Sequence, residues 1–136
     1  MLTANAASGP AMTAVAPFFI IRDLDRALSF YRDSLGFDVA FLAPEPEPFF
    51  AVVRRDGVQF LLKVVGPDVA PLPNCQRHPW ARWDAYVSVP DPDALGTELA
   101  SRGVTFSAPI ADTDDGLRGF EVRDPDGYVL FFGRPR

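Results

Sequence analysis

One local plan occurs twice in this chain, and a chain built that way has few folds open to it. Residues 15–22, "VAPFFIIR", form an apolar run rich in Phe and Ile that reads as a strand. In "DLDRALSFYRDSLGF", Asp23 is a helix N-cap and Asp25 puts negative charge in the first turn. Leu24, Ala27, Leu28, Tyr31 and Leu35 recur at helical spacing, and Gly36 stops the helix at the position after its C-cap. Residues 37–42, 49–55 and 58–65 read as three strands separated by "APEPEP" and "RDG". After a Pro-rich stretch the plan restarts: "WDAYVSV", a helix in "DPDALGTELASRG", then "VTFSAPI", "LRGFEVRD" and "YVLFFG", the last two joined through "DPDG". Asp23 and Asp91 lie 68 residues apart, Gly36 and Gly103 lie 67 apart, and Gly57 and Gly127 lie 70 apart. The second helix segment is therefore one residue shorter than the first. A repeat of this length is one supersecondary unit used twice, each copy burying what the other exposes. The expected fold class is α+β: two tandem βαβββ modules, residues 14–65 and 83–134, forming a curved mixed sheet with helices on its convex side. A mobile arm, residues 1–13, precedes them, and a linker, residues 66–82, joins them.

Few function classes survive the rest of the composition. The formal charge of −5 leaves no basic face for nucleic acid or an anionic membrane. No apolar run approaches the roughly 18 residues that span a bilayer. The opening "MLTANAASGPAMTA" lacks the charged and apolar regions of a signal peptide, so the cytoplasm is the expected location. Cys75 is the only cysteine and reads as an inert thiol in the Pro-rich loop, where the only histidine, His78, also lies. No Ser-His-Asp set, thiolate–histidine pair or phosphate-binding glycine loop occurs.

Strand side chains alternate between faces, and the alternation separates two kinds of surface. Val58, Phe60, Leu62 and Val64, with Tyr128, Leu130 and Phe132, are apolar, as are Phe19, Ile21, Ala85, Val87 and Val89. These are assigned to the face under the helices. The opposite face is mixed: Ala16, Phe18, Ile20, Gln59, Leu61 and Lys63 from the first copy, and Asp84, Tyr86, Ser88, Val129 and Phe131 from the second. Aromatic and aliphatic groups with one carboxylate, one ammonium, an amide and hydroxyls are what a ligand pocket requires.

"RDLDRALSFYRDSLGF" (22–37), "WDAYVSVPDPDAL" (83–95) and "RDPDGYVLFFG" (123–133) together resemble the vicinal-oxygen-chelate superfamily of glyoxalase I, extradiol dioxygenases, fosfomycin-resistance enzymes and bleomycin-resistance proteins. The resemblance covers about residues 14–134. In its metal-dependent members the ligands stand at the start of each module's first strand and in the middle of its last. Here those positions are Ala16, Leu61, Asp84 and Phe131. A divalent ion needs about three or four N, O or S donors, and only Asp84 supplies one. The resemblance therefore points to the metal-free, bleomycin-resistance-like branch: a cofactor-free protein that sequesters a small molecule and has no catalytic residues.

The residues expected to contact that ligand are Phe18, Gln59, Lys63, Trp83, Asp84, Tyr86, Ser88 and Phe131, with Trp80 beside them. An aromatic or cationic ligand such as a glycopeptide antibiotic suits the acidic chain. A planar cation would stack on a partly exposed Phe131 while its charge meets Asp84. The resemblance also implies a homodimer, with the pocket completed within one chain or across two. The residues leave two further readings open: a lyase, isomerase or dioxygenase-like enzyme, with Asp84 and Lys63 or Tyr86 as acid and base or with a displaced or partner-supplied metal, and a structural or interaction module with no ligand.

Overall fold

The computed structural model describes residues 9–136. The first eight residues of the expected arm lie outside them. Residues 9–17 have no regular structure, and Met12 and Val15 stand in solvent.

Each half folds as strand, helix and three strands. The first comprises β1 (Phe18–Ile21), α1 (Leu24–Ser29), β2 (Asp38–Ala43), β3 (Phe50–Arg55) and β4 (Val58–Val64). The second comprises β5 (Ala85–Ser88), α3 (Pro92–Ser101), β6 (Phe106–Asp112), β7 (Leu117–Arg123) and β8 (Val129–Pro135). Two four-stranded mixed sheets result, ordered β1-β4-β3-β2 and β5-β8-β7-β6. In each, the opening strand runs parallel to the last, and the other pairs are antiparallel.

Local chemistry fixes the helix boundaries. Asp23 and Asp91 accept from the backbone N–H three residues on, at 3.0 Å each. Gly36 (φ 74°) and Gly103 (φ 87°) take the left-handed conformation that ends each helix. The first helix is not α-helical throughout: residues Phe30–Ser34 form a π-helical turn. An i→i+5 turn holds one residue more than an α turn, which accounts for the extra residue of the first copy.

Other boundaries move from those expected. β1 begins at Phe18, because it is an edge strand whose chain leaves the sheet before Pro17. The Pro-rich linker, for which no helix was expected, carries one helical turn, α2 (Asn74–Arg77). Its first N–H is capped from a distance by the carboxylate of Asp84, at 2.8 Å. The left-handed residue of the first hairpin is Asp56 (φ 52°), not Gly57, because that turn has two residues and its counterpart at 124–128 has five.

The apolar faces of both sheets and both main helices enclose one core. Phe19, Tyr31, Phe60, Leu62, Leu99, Phe120, Leu130 and Phe132 belong to a single buried cluster. Phe19 of β1 and Tyr128 ahead of β8 join the halves, stacked with centroids 4.1 Å apart and planes 6° apart. Beside that stack, the β7–β8 turn docks on the start of α1. Asp126 accepts from the Arg22 N–H at 3.0 Å, and Arg26 donates to the Pro125 carbonyl at 2.6 Å. The hydroxyl of fully buried Tyr31 donates to Asp124 at 2.8 Å. Asp124 also accepts from the N–H groups of Asp126 and Tyr128. Burial raises its pKa to about 6, against the opposing pull of those hydrogen bonds.

This buried bond sets a pH dependence. Because the folded-state pKa of Asp124 is raised, its stabilisation is fully present below 3.8 and is lost as pH rises through about 6. Above that pH the carboxylate is charged and depends on the Tyr31 hydroxyl. Tyr31→Phe is therefore expected to cost about 1.5–3 kcal/mol at pH 8, as for a hydrogen bond to a charged group, and less at pH 5. Urea denaturation at the two pH values measures the difference; an equal cost at both would show that the bond does not report on the charge of Asp124.

Candidate functional site

The outward face of the second sheet carries an aromatic platform. Gly119 of β7 and Gly133 of β8 are register partners, and the ring of Phe131 lies flat over both. A Cβ added at Gly119 would stand 2.6 Å from the Phe131 Cζ, so the ring needs both glycines to lie this low. Trp83 stacks above Phe131 with centroids 4.3 Å apart, and Tyr86 stacks beside it at 5.6 Å. The indole N–H donates to the Glu121 carboxylate at 3.0 Å, and the Arg82 guanidinium covers the indole at 4.3 Å. Indole orientation is thus set from three sides, and the surface open to solvent is that of Tyr86, 39% exposed, and of Trp83.

Burial corrects the expected role of Phe131. It was expected to face a cavity, yet it is 2% exposed. No helix covers it; Trp83 and Tyr86 do, and it is the floor of the platform rather than its contact surface. The role expected of Asp84 changes as well. Its Oδ1 accepts from the Asn74 N–H and its Oδ2 from the Val129 N–H, both at 2.8 Å. A carboxylate with each oxygen held by a backbone donor is a clasp between linker and β8, not a free counter-ion.

The outward face of the first sheet is also aromatic. Phe18 and Phe50 stack at 6.2 Å, and Phe41 meets Phe50 edge-on at the same distance. Phe18 and Phe41 are 55% and 54% exposed. Lys63, the register partner of Phe50, places its ammonium over the Phe49 ring at 5.7 Å, and Gln59 lies further along β4. Phe18 and Asp84 share the wall of a cleft of about 350 Å³ between β1 and the linker. Ser88 sits at the far end of β5 and lines a different cleft. Trp80 belongs to neither surface; it is 85% exposed and meets only His78 edge-on.

A family model described as the Glyoxalase/Bleomycin resistance protein/Dioxygenase superfamily matches residues 13–132. The chain belongs to that superfamily. Among solved structures, it is similar to the bleomycin-binding protein of bleomycin-producing Streptomyces verticillus, solved with copper(II)-bleomycin: 27% identity over 91% of this chain and 97% of that one, TM-score 0.66. TioX of Micromonospora sp. ML1 shares the fold at 22% identity, over 89% of this chain and 97% of that one, TM-score 0.68. TnmS3, an antibiotic binding protein of Streptomyces sp. CB03234, does so at 22% identity, over 90% and 97%, TM-score 0.65. A search of curated proteins returns no match.

The metal centre of this superfamily does not fit the residues present. Ala16, Leu61 and Phe131 carry no donor atom, and the ring of Phe131 is covered. Both oxygens of Asp84 are held by backbone N–H groups. Among the described residues no three His, Cys, Asp or Glu side chains group closely enough to hold an ion. Nor does any helix among them have the length and apolarity to cross a membrane.

Several residues of the two surfaces were not named from the sequence. Phe41 and Phe50 sit on strands whose faces were not separated there; alternation along "FAVVRR" could have assigned Phe50. Gly119 and Gly133 carry no sequence signal for a ring laid across them. Glu121 could have been found by counting back through the β7–β8 turn from Phe131, whose register partner it is.

The clasp gives a direct test. Asp84→Ala strips the acceptor from two backbone N–H groups, and is expected to cost about 2–4 kcal/mol of stability. It should also raise hydrogen exchange in residues 70–82, where α2 is anchored. Unchanged stability and protection would show that the clasp holds nothing.

Proposed function

We propose that this protein binds a planar aromatic small molecule, holding it by stacking and by a few polar anchors, without a metal centre at the superfamily's ligand positions and without turnover. The observation that carries this reading is the Trp83–Phe131–Tyr86 platform laid over Gly119 and Gly133, with the indole fixed by Glu121 and Arg82. A rigid aromatic surface loses little conformational entropy when a flat ligand lands on it. Its contact residues are Tyr86 and Trp83, with Glu121 as the anion near a cationic substituent. Phe18, Phe41, Gln59 and Lys63 form the second surface.

The two surfaces face outward from one chain, and each covers a ligand on one side only. We infer a homodimer in which the first sheet of one protomer faces the second sheet of its partner, so that exposed Phe18 and Phe41 approach a platform such as Tyr86. The exposure of large aromatics on both faces supports this pairing, since single apolar residues at a surface are ordinary but clustered ones mark an interface or a site. The bleomycin-binding protein that resembles this chain was solved with copper(II)-bleomycin, which supports drug sequestration as the purpose.

Two experiments test the reading. Sedimentation velocity at micromolar concentration is expected to give a dimer; a monomer would overturn the shared site. Tryptophan fluorescence titrated with copper(II)-bleomycin and a panel of cationic aromatic drugs is expected to show saturable quenching. Tyr86→Ala should weaken it about tenfold, a loss on the order of 1.4 kcal/mol, with the fold intact by circular dichroism. Tyr86→Ala binding as tightly as the parent would remove the platform from the site.

A further inference from the structure

The two halves meet along two seams related by the internal repeat, and the seams differ. At the first, Tyr128 lies on Phe19 and donates its hydroxyl to the Ile20 carbonyl at 2.6 Å, with Tyr31 buried alongside. Carried through the repeat, Tyr128 becomes Val58, Tyr31 becomes Leu99 and Phe19 becomes Val87. Two phenol rings at one seam are therefore matched by an isopropyl and an isobutyl group at the other. Branched aliphatic groups cannot reach as far, and at the second seam the surfaces stand apart. A cleft of about 730 Å³ lies there, flanked by half-buried Val58 and Leu95 and floored by the nearly buried Val87, Leu99 and Phe132. Its size falls within the range of small-molecule sites, about 300–1,000 Å³.

The backbone at this cleft also keeps its counterpart's hydrogen-bonding pattern. In a parallel pair, alternate residues of the edge strand point their polar groups at the neighbour. Val89 donates across the ladder to Gly133 at 2.9 Å, so the carbonyl of Ser88 points away from β8, as that of Ile20 points away from β4. Ile20 meets a tyrosine hydroxyl; Ser88 lines the cleft. The mouth is acidic. Asp56, Asp91 and Glu98 line it; Glu98 is matched by Arg55, at 2.8 and 2.9 Å, and by Arg102 at 3.0 Å, which leaves Asp56 and Asp91 as its carboxylates without a guanidinium partner among the described residues. An anionic ligand is disfavoured there, and a neutral one is not.

We propose that this cleft is a second binding site, separate from the outward platforms, for a small neutral phenol. Its ring lies against Val87 as the ring of Tyr128 lies against Phe19, and its hydroxyl donates to the Ser88 carbonyl. The ring's para substituent points towards the open mouth. The inference rests on the repeat and the cleft alone and stands whether or not the platforms bind a drug.

The probe is p-cresol, the side chain of tyrosine as a free molecule. Titrated into the full chain, it is expected to move the amide resonances of Val58, Val87, Ser88 and Leu99 saturably, with a dissociation constant of about 1 mM or tighter. 4-Methylanisole, which cannot donate, is expected to bind about fivefold more weakly, and 4-methylbenzoate weaker still. Val58→Tyr restores the ring that the repeat places at the first seam and is expected to weaken p-cresol binding at least about tenfold while raising Tm. Val58→Phe fills the same space if the tyrosine variant fails to fold. Absence of saturable shifts, shifts centred on Trp83 and Tyr86, or p-cresol affinity unchanged by a folded filling variant would each overturn the site. Equal affinity for cresol and methylanisole would overturn the role of Ser88.

Discussion

Each sheet has one apolar face, and its own helix packs across it, α1 on β3 and β4 and α3 on β6, β7 and β8. The rest of the structure depends on the burial of that face. The two halves bury it in common, so Phe60 and Leu62 share a cluster with Phe120, Leu130 and Phe132. Burial of that shared face is the main favourable term, and it is non-directional. What gives the pairing one geometry is the directional set at the first seam: the Phe19–Tyr128 stack, the Tyr128 hydroxyl on Ile20 and the Tyr31 hydroxyl on Asp124. The carboxylate of Asp124 is costly to bury, and three donors from two different elements converge on it. Two of the donors, the N–H groups of Asp126 and Tyr128, belong to the turn of Asp124 itself; a slip of one module on the other would take away the third, the Tyr31 hydroxyl.

Once the apolar faces are committed inward, the pleat sends every second residue of β1, β4, β5 and β8 outward. A charged residue there is tolerated, and so is a ring. The molecule has placed rings. Phe18, Phe41 and Phe50 on one side, and Trp83, Tyr86 and Phe131 on the other, are more aromatic surface than solubility alone would favour. The metal-bearing chemistry of the superfamily uses the same outward positions. In this chain those positions hold a methyl group, an isobutyl group, a benzyl group and one carboxylate engaged by the backbone. The scaffold that could present donor atoms presents stacking surface instead.

How much of this was legible in the sequence depends on the range of the interaction involved. The element order, the helix caps and the assignment of Phe60, Leu62, Leu130 and Phe132 to the core follow from alternation and local caps, and the structure agrees with them. The one-residue difference between the helices was also visible as a change of spacing, but not its form, because an insertion can loop out, shift the cap or widen one turn. The roles of Asp84 and Phe131 were not legible. The partners of Asp84 are backbone N–H groups of Asn74 and Val129, which carry no residue-type signal. The burial of Phe131 depends on the absence of side chains at Gly119 and Gly133 and on a tryptophan that lies before the strand. Alternation gives the face on which a side chain stands; it does not give the height at which the side chain lies.

Two copies of one unit begin with equivalent seams, and selection can then act on each separately. In this chain the first seam has been closed with aromatic rings and a buried hydrogen-bonded carboxylate, while the second relies on Arg55, Glu98 and Arg102 near the surface. Those ion pairs are half-buried and stand at the rim of the second seam; they do not fill it as the rings fill the first. A protein whose two seams were both packed like the first would gain stability and lose the cleft. Because one seam already fixes the geometry of the pair, the other is free to depart from close packing, and a site can form in the core side of the molecule without loosening the platforms on its outer faces.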